Sequence, residues 1–353
     1  MRAIFRTPPA ALALLLALIA VGAARAALPC AETDRECAKR AAYAHPLRQA
    51  AGWSVELAKP VEQRIGPAFA ALVEFLTIDN IKNDYPNRPR ASNLTPEFLA
   101  DVRAAIAELP PAVKRVLEPS FAGLYFVDDL GGTGYTDSFA ADGKPAGAYV
   151  VLDATVLGKL AANDWATWKE GTPFKAAPGH AIRARIEEDA GNNRRNAIQY
   201  ILLHELGHVL SVGRDIHPPW DIAPKDVPAD RRYPFFELSW TLDRAADRYA
   251  SLFDDGFAQR RSIAYYFGAK LEAADMVPVY EALERTNFPT LYAATHPGDD
   301  FAESFVTYVH VVVMKKPFSI ELLRDGKVVK TYRPCWEEAR CAAKRAILEK
   351  LLR

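Results

Sequence analysis

Five residues of this chain could do chemistry by their types and spacing alone. His204-Glu205-Leu206-Gly207-His208 sits inside the apolar stretch 196–210 and uses two of the seven histidines among 353 residues. Residues i and i+4 lie one turn apart on the same face of an α-helix. Two imidazoles held that way can share one metal ion, and the glutamate after the first histidine can reach a water beside it as a general base. Three ionisable groups on an apolar helix are costly unless something pairs with them, and a metal ion would do so. A catalytic zinc takes a third protein ligand and keeps a position for water.

Three places offer that third ligand. Glu303 lies in Asp299-Asp-Phe-Ala-Glu-Ser-Phe-Val-Thr-Tyr-Val-His310, 95 residues after His208 (303 − 208). Phe301, Ala302, Phe305 and Val309 give this stretch an apolar helical face, so Glu303 needs a partner; capping by Asp300 with Glu303 at N3 is the plainer alternative. Asp243 lies in Leu242-Asp-Arg-Ala-Ala-Asp-Arg-Tyr-Ala250, one turn before Asp247. Asp215 and His217 follow the motif in a loop.

His204, Glu205 and His208 resemble the active-site helix of the zincin metallopeptidases. The Phe301-Ala302-Glu303 run resembles the second helix of the gluzincins, in particular the lethal-factor-like branch, and implies Glu303 as the third ligand. The 243–247 stretch is similar to the E-x-x-A-D helix of the CaaX-processing prenyl endopeptidases, with Asp in place of Glu. That makes Asp243 the second candidate and Asp247 an acceptor for a histidine N–H. The metzincin pattern fails at Ser211 and Arg214. One departure from the thermolysin-like pattern stands out: four residues after the ligand it carries an Asp that orients a zinc histidine, and here that position is Thr307. The resemblance implies one zinc ion on His204, His208 and Glu303, Glu205 as general base, and an oxyanion donor near the second helix. His296 is the expected donor and Tyr292 the next; His310 is expected to pack or to support. The expected function is an exported zinc metalloendopeptidase. The alternatives are a zinc amidase acting on cell-wall peptides and a zinc-binding protein without catalysis.

The elements that must position these residues are legible in outline. The expected class is α+β: a zincin-like domain (119–353) of a small twisted sheet and the motif helix, ending in a hairpin and a helix, preceded by a helical region (27–118). Gly123–Val127 and Gly147–Leu152 read as strands from their β-branched and aromatic residues, with a glycine-rich turn, Asp128–Tyr135, between them. By the resemblance, Gly147–Leu152 is the candidate edge strand on which an extended substrate pairs; an interior strand is the alternative. The Pro-rich stretch Gly213–Pro228 is a loop near the cleft, with Trp220 read as packing rather than as a substrate contact. Helical spacing covers 239–253, 261–274, 277–285 and 299–313, and Asp325-Gly326 joins two strands.

The termini point to export. Arg2 and Arg6, the apolar run 10–21 and Ala24-Arg25-Ala26 read as a signal peptide (1–26) cleaved near Ala26. The apolar run is shorter than the ~20 residues that span a bilayer, and no later segment is long and apolar enough. Cys30, Cys37, Cys335 and Cys341 allow three pairings; the local pairs are the simplest and a tie between the termini is the alternative. Disulfides persist in an oxidising compartment, so the periplasm or secretion is expected. Lys+Arg and Asp+Glu number 44 each, which leaves no global charge to draw nucleic acid. The expected partner is a peptide or protein substrate.

Overall fold

In the computed structural model, residues 28–353 other than 119 and 221 are described; the signal-peptide reading lies outside them. In chain order the elements are α1 (Arg35–Ala44), α2 (Ser54–Leu57), β1 (Ile65–Pro67), α3 (Ala70–Lys82), β2 (Arg90–Ala91), α4 (Pro96–Ala107), α5 (Pro111–Leu117), β3 (Phe121–Asp128), β4 (Gly134–Ala141), β5 (Lys144–Asp153), α6 (Ala154–Leu157), α7 (Ala162–Gly171), β6 (His180–Arg185), α8 (Arg194–Ser211), β7 (Trp240–Asp243), β8 (Arg248–Ser251), α9 (Met276–Leu283), α10 (Pro297–Thr307), β9 (Ser319–Arg324), β10 (Lys327–Tyr332) and α11 (Ala342–Leu351). The class is mixed α+β.

The main sheet runs β1-β3-β5-β4, with β2 beside β3. β3 and β5 are parallel, and β4 returns antiparallel to β5. Both central strands read as near-continuous apolar runs because both of their faces are covered. Leu124, Phe126, Val150 and Leu152 join the core of α4, α5, α7 and α8. Tyr125, Val127, Tyr149 and Val151 join a second core with Trp53, Leu72 and Phe75. The 27–118 region is therefore woven into the sheet: it supplies β1 and β2 and the layer that covers one face.

α8 carries the motif. Asn193 caps it, its side chain accepting the Asn196 N–H at 3.0 Å. The helix is apolar on nearly every side because it runs between the sheet and α10; such a helix belongs in a core. α10 begins with Pro297 at its first position, as a helix tolerates, and its cap is His296.

Several sequence expectations are corrected. Gly147–Leu152 lies in β5, an interior strand; the edge strand is β4, which begins inside the stretch read as a turn. The helix expected at 239–253 is a β7–β8 hairpin, turned at Asp247 with φ 50°. The helix expected at 261–274 is short 3-10 turns and loop. β6, which pairs with β9, and α7 were not foreseen. The 318–332 hairpin and the 277–285 and 299–313 helices stand where the sequence puts them, the last continuing as a π-helix over Tyr308–Val313. The cysteines pair locally, Cys30–Cys37 and Cys335–Cys341. Among the described residues no helix is long and apolar enough to cross a membrane.

Candidate metal centre

The centre forms where α8 and α10 touch. Gly207 makes the contact possible: a Cβ there would lie 2.8 Å from Ala302 Cα. Glycine costs about 1 kcal/mol in a helix interior relative to alanine, and here it lets the two helices approach closely enough for their side chains to meet.

Three side chains converge from this contact. Asp299 Oδ1 lies 3.6 Å from His208 Nε2 and 3.9 Å from His204 Nε2. The ligand atoms of His204, His208 and Asp299 all fall within 4.8 Å of one another, the one such group among the described residues. The separations are too long for hydrogen bonds. They are close to the edge of a tetrahedron of N and O donors around zinc, about 3.3 Å for bonds of about 2.05 Å. Asp299 accepts the Thr295 hydroxyl at 3.4 Å and has no lysine or arginine within ion-pair distance. Burial pushes its carboxyl up to about 6, with His204 and Lys169 opposing the rise and Glu303 and Glu205 adding to it. An anion so placed is stabilised by a cation from outside, and a divalent metal suits the donor set.

Glu303, the expected third ligand, is placed elsewhere. It is fully buried one turn beyond Asp299, and its oxygens are taken: Oε1 by Lys169 Nζ at 2.9 Å, Oε2 by the Thr290 hydroxyl at 2.6 Å. Oε1 also lies 2.9 Å from His204 Nδ1, off the line of the ring N–H. Burial opposes its ionisation, but Lys169 and His204 outweigh it and hold the carboxyl far below the usual range. Glu303 stands behind His204, where an orienting carboxylate belongs. A sequence signal for this existed. With Asp299 as ligand, the residue four positions on is Glu303, which supplies the carboxylate missing at Thr307. Sequence reasoning missed both Asp299 as a ligand candidate and Lys169, which nothing local marks. It is buried in α7 with its ammonium 4.7 Å from the Tyr292 ring.

The remaining candidates separate cleanly. Asp243 lies on β7, paired with Arg248 at 2.9 Å, and Asp247 is in the hairpin turn with Lys225 at 3.0 Å. Both face away because that stretch is a hairpin and not a helix. Asp215 is exposed and paired with Arg231. His217 Nδ1 contacts Pro218 O at 2.8 Å, and His310 Nε2 contacts Ile186 O at 2.7 Å, a packing role.

Glu205 faces the cleft under β4. Its Oε2 accepts the Thr136 hydroxyl at 2.7 Å. Gly134 leaves room for it, since a Cβ there would lie 2.3 Å from Oε1. Burial raises the Glu205 pKa, more than His204 and Thr136 lower it. Tyr292 lies near-parallel to the His204 ring at 5.6 Å. His296 Nδ1 accepts the Gly298 N–H at 3.2 Å, which leaves the proton of the neutral ring on Nε2; burial, with His217, lowers its pKa to about 4. His204, Glu205, His208, Tyr292, His296 and Trp220 line one cleft of about 390 Å³. Trp220, read from sequence as packing, is thus at the cleft wall, 6.0 Å from the His208 ring. Compared with family models, with curated proteins and with solved structures, the chain matches none of them.

Proposed function

We propose that the protein is an exported, zinc-dependent metallopeptidase of the zincin kind, with an aspartate rather than a glutamate as third ligand: His204, His208 and Asp299. One observation carries the reading: two imidazoles and a half-buried carboxylate with no lysine or arginine partner converge beside a glutamate that faces the edge of a sheet. When bound, a zinc ion supplies Lewis-acid polarisation of a carbonyl and a water of lowered pKa. Glu205 takes the proton of the attacking water and delivers it to the leaving amine. Thr136 fixes Oε2, so the carboxylate stays aimed along the edge of β4. His296, protonated on Nε2, is the donor to the developing oxyanion; Tyr292 holds the face of His204. Glu303 stands 2.9 Å from His204 Nδ1 as its carboxylate neighbour, and Lys169 holds Glu303. The disulfides support an oxidising compartment, the periplasm or the exterior.

The test is hydrolysis of a mixed peptide pool by the zinc-loaded protein, followed by mass spectrometry. Hydrolysis stopped by a chelator, restored by zinc and lowered about 10²–10⁴-fold in Glu205→Gln is expected. Hydrolysis that survives both treatments, or none by the zinc-loaded protein, contradicts the reading.

A further inference from the structure

We infer that the groove along β4 is closed on one side by the chain's own N-terminal segment, so that the substrates are peptide ends rather than the interior of long chains. This rests on the peptidase reading above. β4 is a sheet edge, with β5 its neighbour in the sheet. Side chains alternate across it: Thr136 reaches Glu205 on the α8 side, whereas Tyr135 and Phe139 pack into the layer of α1 and α3. An extended peptide added to this edge beside Thr136 lies next to Glu205.

It cannot run far along the strand. Four residues on, about 13 Å at ~3.3 Å per residue, Ala140 is already bridged in the parallel sense by Gln49. Before that point Arg48 forks Asp137, Nη1 lying 2.8 and 2.9 Å from the two carboxylate oxygens. Gln49 occupies the path of the added strand, and Arg48 anchors the segment beside it through Asp137. They are not on a loose flap. Leu47 and Trp53 are 2% and 0% exposed. The Trp53 ring lies 5.4 Å from Phe139 and 4.4 Å from Tyr149, and its Nε1 donates to Leu47 O at 2.9 Å. Lifting the segment would strip the indole from its core.

A neighbouring cavity of about 370 Å³, lined by Ser138, Pro145 and Gly213, meets the catalytic cleft at Arg48 and Trp220. An outer depression with Arg35 and Lys39 meets it at Tyr43 and Lys82. What closes the edge of β4 is the Gln49–Ala140 bridge itself. On the closed side, the rise per residue leaves room for roughly two to three residues beyond the bond beside Glu205.

The test uses the full zinc-loaded chain on a linear twelve-residue peptide series and on head-to-tail cyclic peptides of the same sequences. Release of fragments roughly one to three residues long from one end, with cyclic peptides cut at least tenfold more slowly, is expected. N-acetylated and C-amidated versions tell which end is held. Cleavage at central bonds, or of cyclic peptides at the linear rate, overturns this inference while leaving the peptidase reading intact. No zinc-dependent cleavage of any peptide removes both. Arg48→Ala, which removes the anchor to Asp137, is expected to lengthen the released fragment by at least one residue; an unchanged fragment counts against the inference. Should that variant fail to fold, binding of fluorescent peptides of increasing length to zinc-loaded Glu205→Gln reads the same limit. Affinity that stops rising, or falls, after two or three added residues on one side supports the closure; a steady rise on both sides overturns it.

Discussion

Helix α10 carries two successive aspartates that meet opposite fates. Asp300 is fully buried and fully served: Lys344 Nζ lies at 2.5 Å, Trp240 Nε1 donates at 3.0 Å, and Lys344 is itself 0% exposed. Asp299 faces two imidazoles at 3.6 and 3.9 Å, beyond hydrogen-bond distance, and has no lysine or arginine within ion-pair distance. Glu303, one turn on, is served like Asp300, by Lys169 and Thr290. Acids that hold this fold together are buried with their own donors. Of the three acids of α10, Asp299 is the one without a lysine partner, its donor being the Thr295 hydroxyl at 3.4 Å.

That contrast can be broken by substitution. Asp299→Ala is expected to abolish tight zinc binding and to lower peptidase activity at least about 10³-fold, more than the 10–100-fold typical of an outer partner, with the apo protein still folded. Asp300→Ala should do the reverse. It leaves Lys344 buried and unpaired, at about 3–5 kcal/mol of stability, while the folded fraction keeps its zinc. Denaturant melts beside zinc titrations of both variants check the pair, and matching phenotypes would erase the distinction.

The second prediction concerns Lys169. Lys169→Met strands Glu303 as a buried anion and is expected to destabilise the apo protein by about 3–5 kcal/mol. Lys169→Met/Glu303→Gln replaces the ion pair with neutral groups and should recover most of that loss in the same melts. Failure of the double variant to recover would mean that the ammonium also matters to the Tyr292 and Trp165 rings, at 4.7 and 5.7 Å, or to buried Glu170, at 3.7 Å.

The smallest effect comes from a buried base far from the ligands. Burial lowers His310 from 6.5 to about 4. Its folded pKa lies below its unfolded one, so its contribution is intact above pH 6.5 and is lost as the pH falls from there toward 4. One such group contributes a slope of up to about 1.4 kcal/mol per pH unit. Unfolding free energies across that window, for wild type and His310→Gln, should differ in slope by that order.

The motif helix, the C-terminal hairpin and the Asp299–Val313 helix were legible because their signals are local: spacing, a turn dipeptide, an apolar face. The edge strand was not. Gly134–Ala141 is broken by Asp137 and Ser138 and begins among glycines, and the apolar run of β5 that drew attention marks a strand covered on both faces. The 239–253 stretch carries helix-compatible spacing but folds as a hairpin, with Trp240 buried against Phe288. Among the candidate site residues, His204, Glu205 and His208 were legible from their spacing, and His204 and His208 do converge with Asp299. The choice between Asp299 and Glu303 depends on Lys169, 134 residues away in sequence from Glu303, and no local pattern reports a partner at that distance.

The most direct test of the central claim is zinc affinity measured by chelator competition on wild type, Asp299→Ala and Glu303→Gln, each checked for folding by circular dichroism. One tightly held zinc in wild type, its loss in Asp299→Ala, and retention weakened by about 10–100-fold in Glu303→Gln are expected from a ligand at 299 and an orienting carboxylate at 303. Tight zinc in Asp299→Ala together with loss in Glu303→Gln would contradict the assignment.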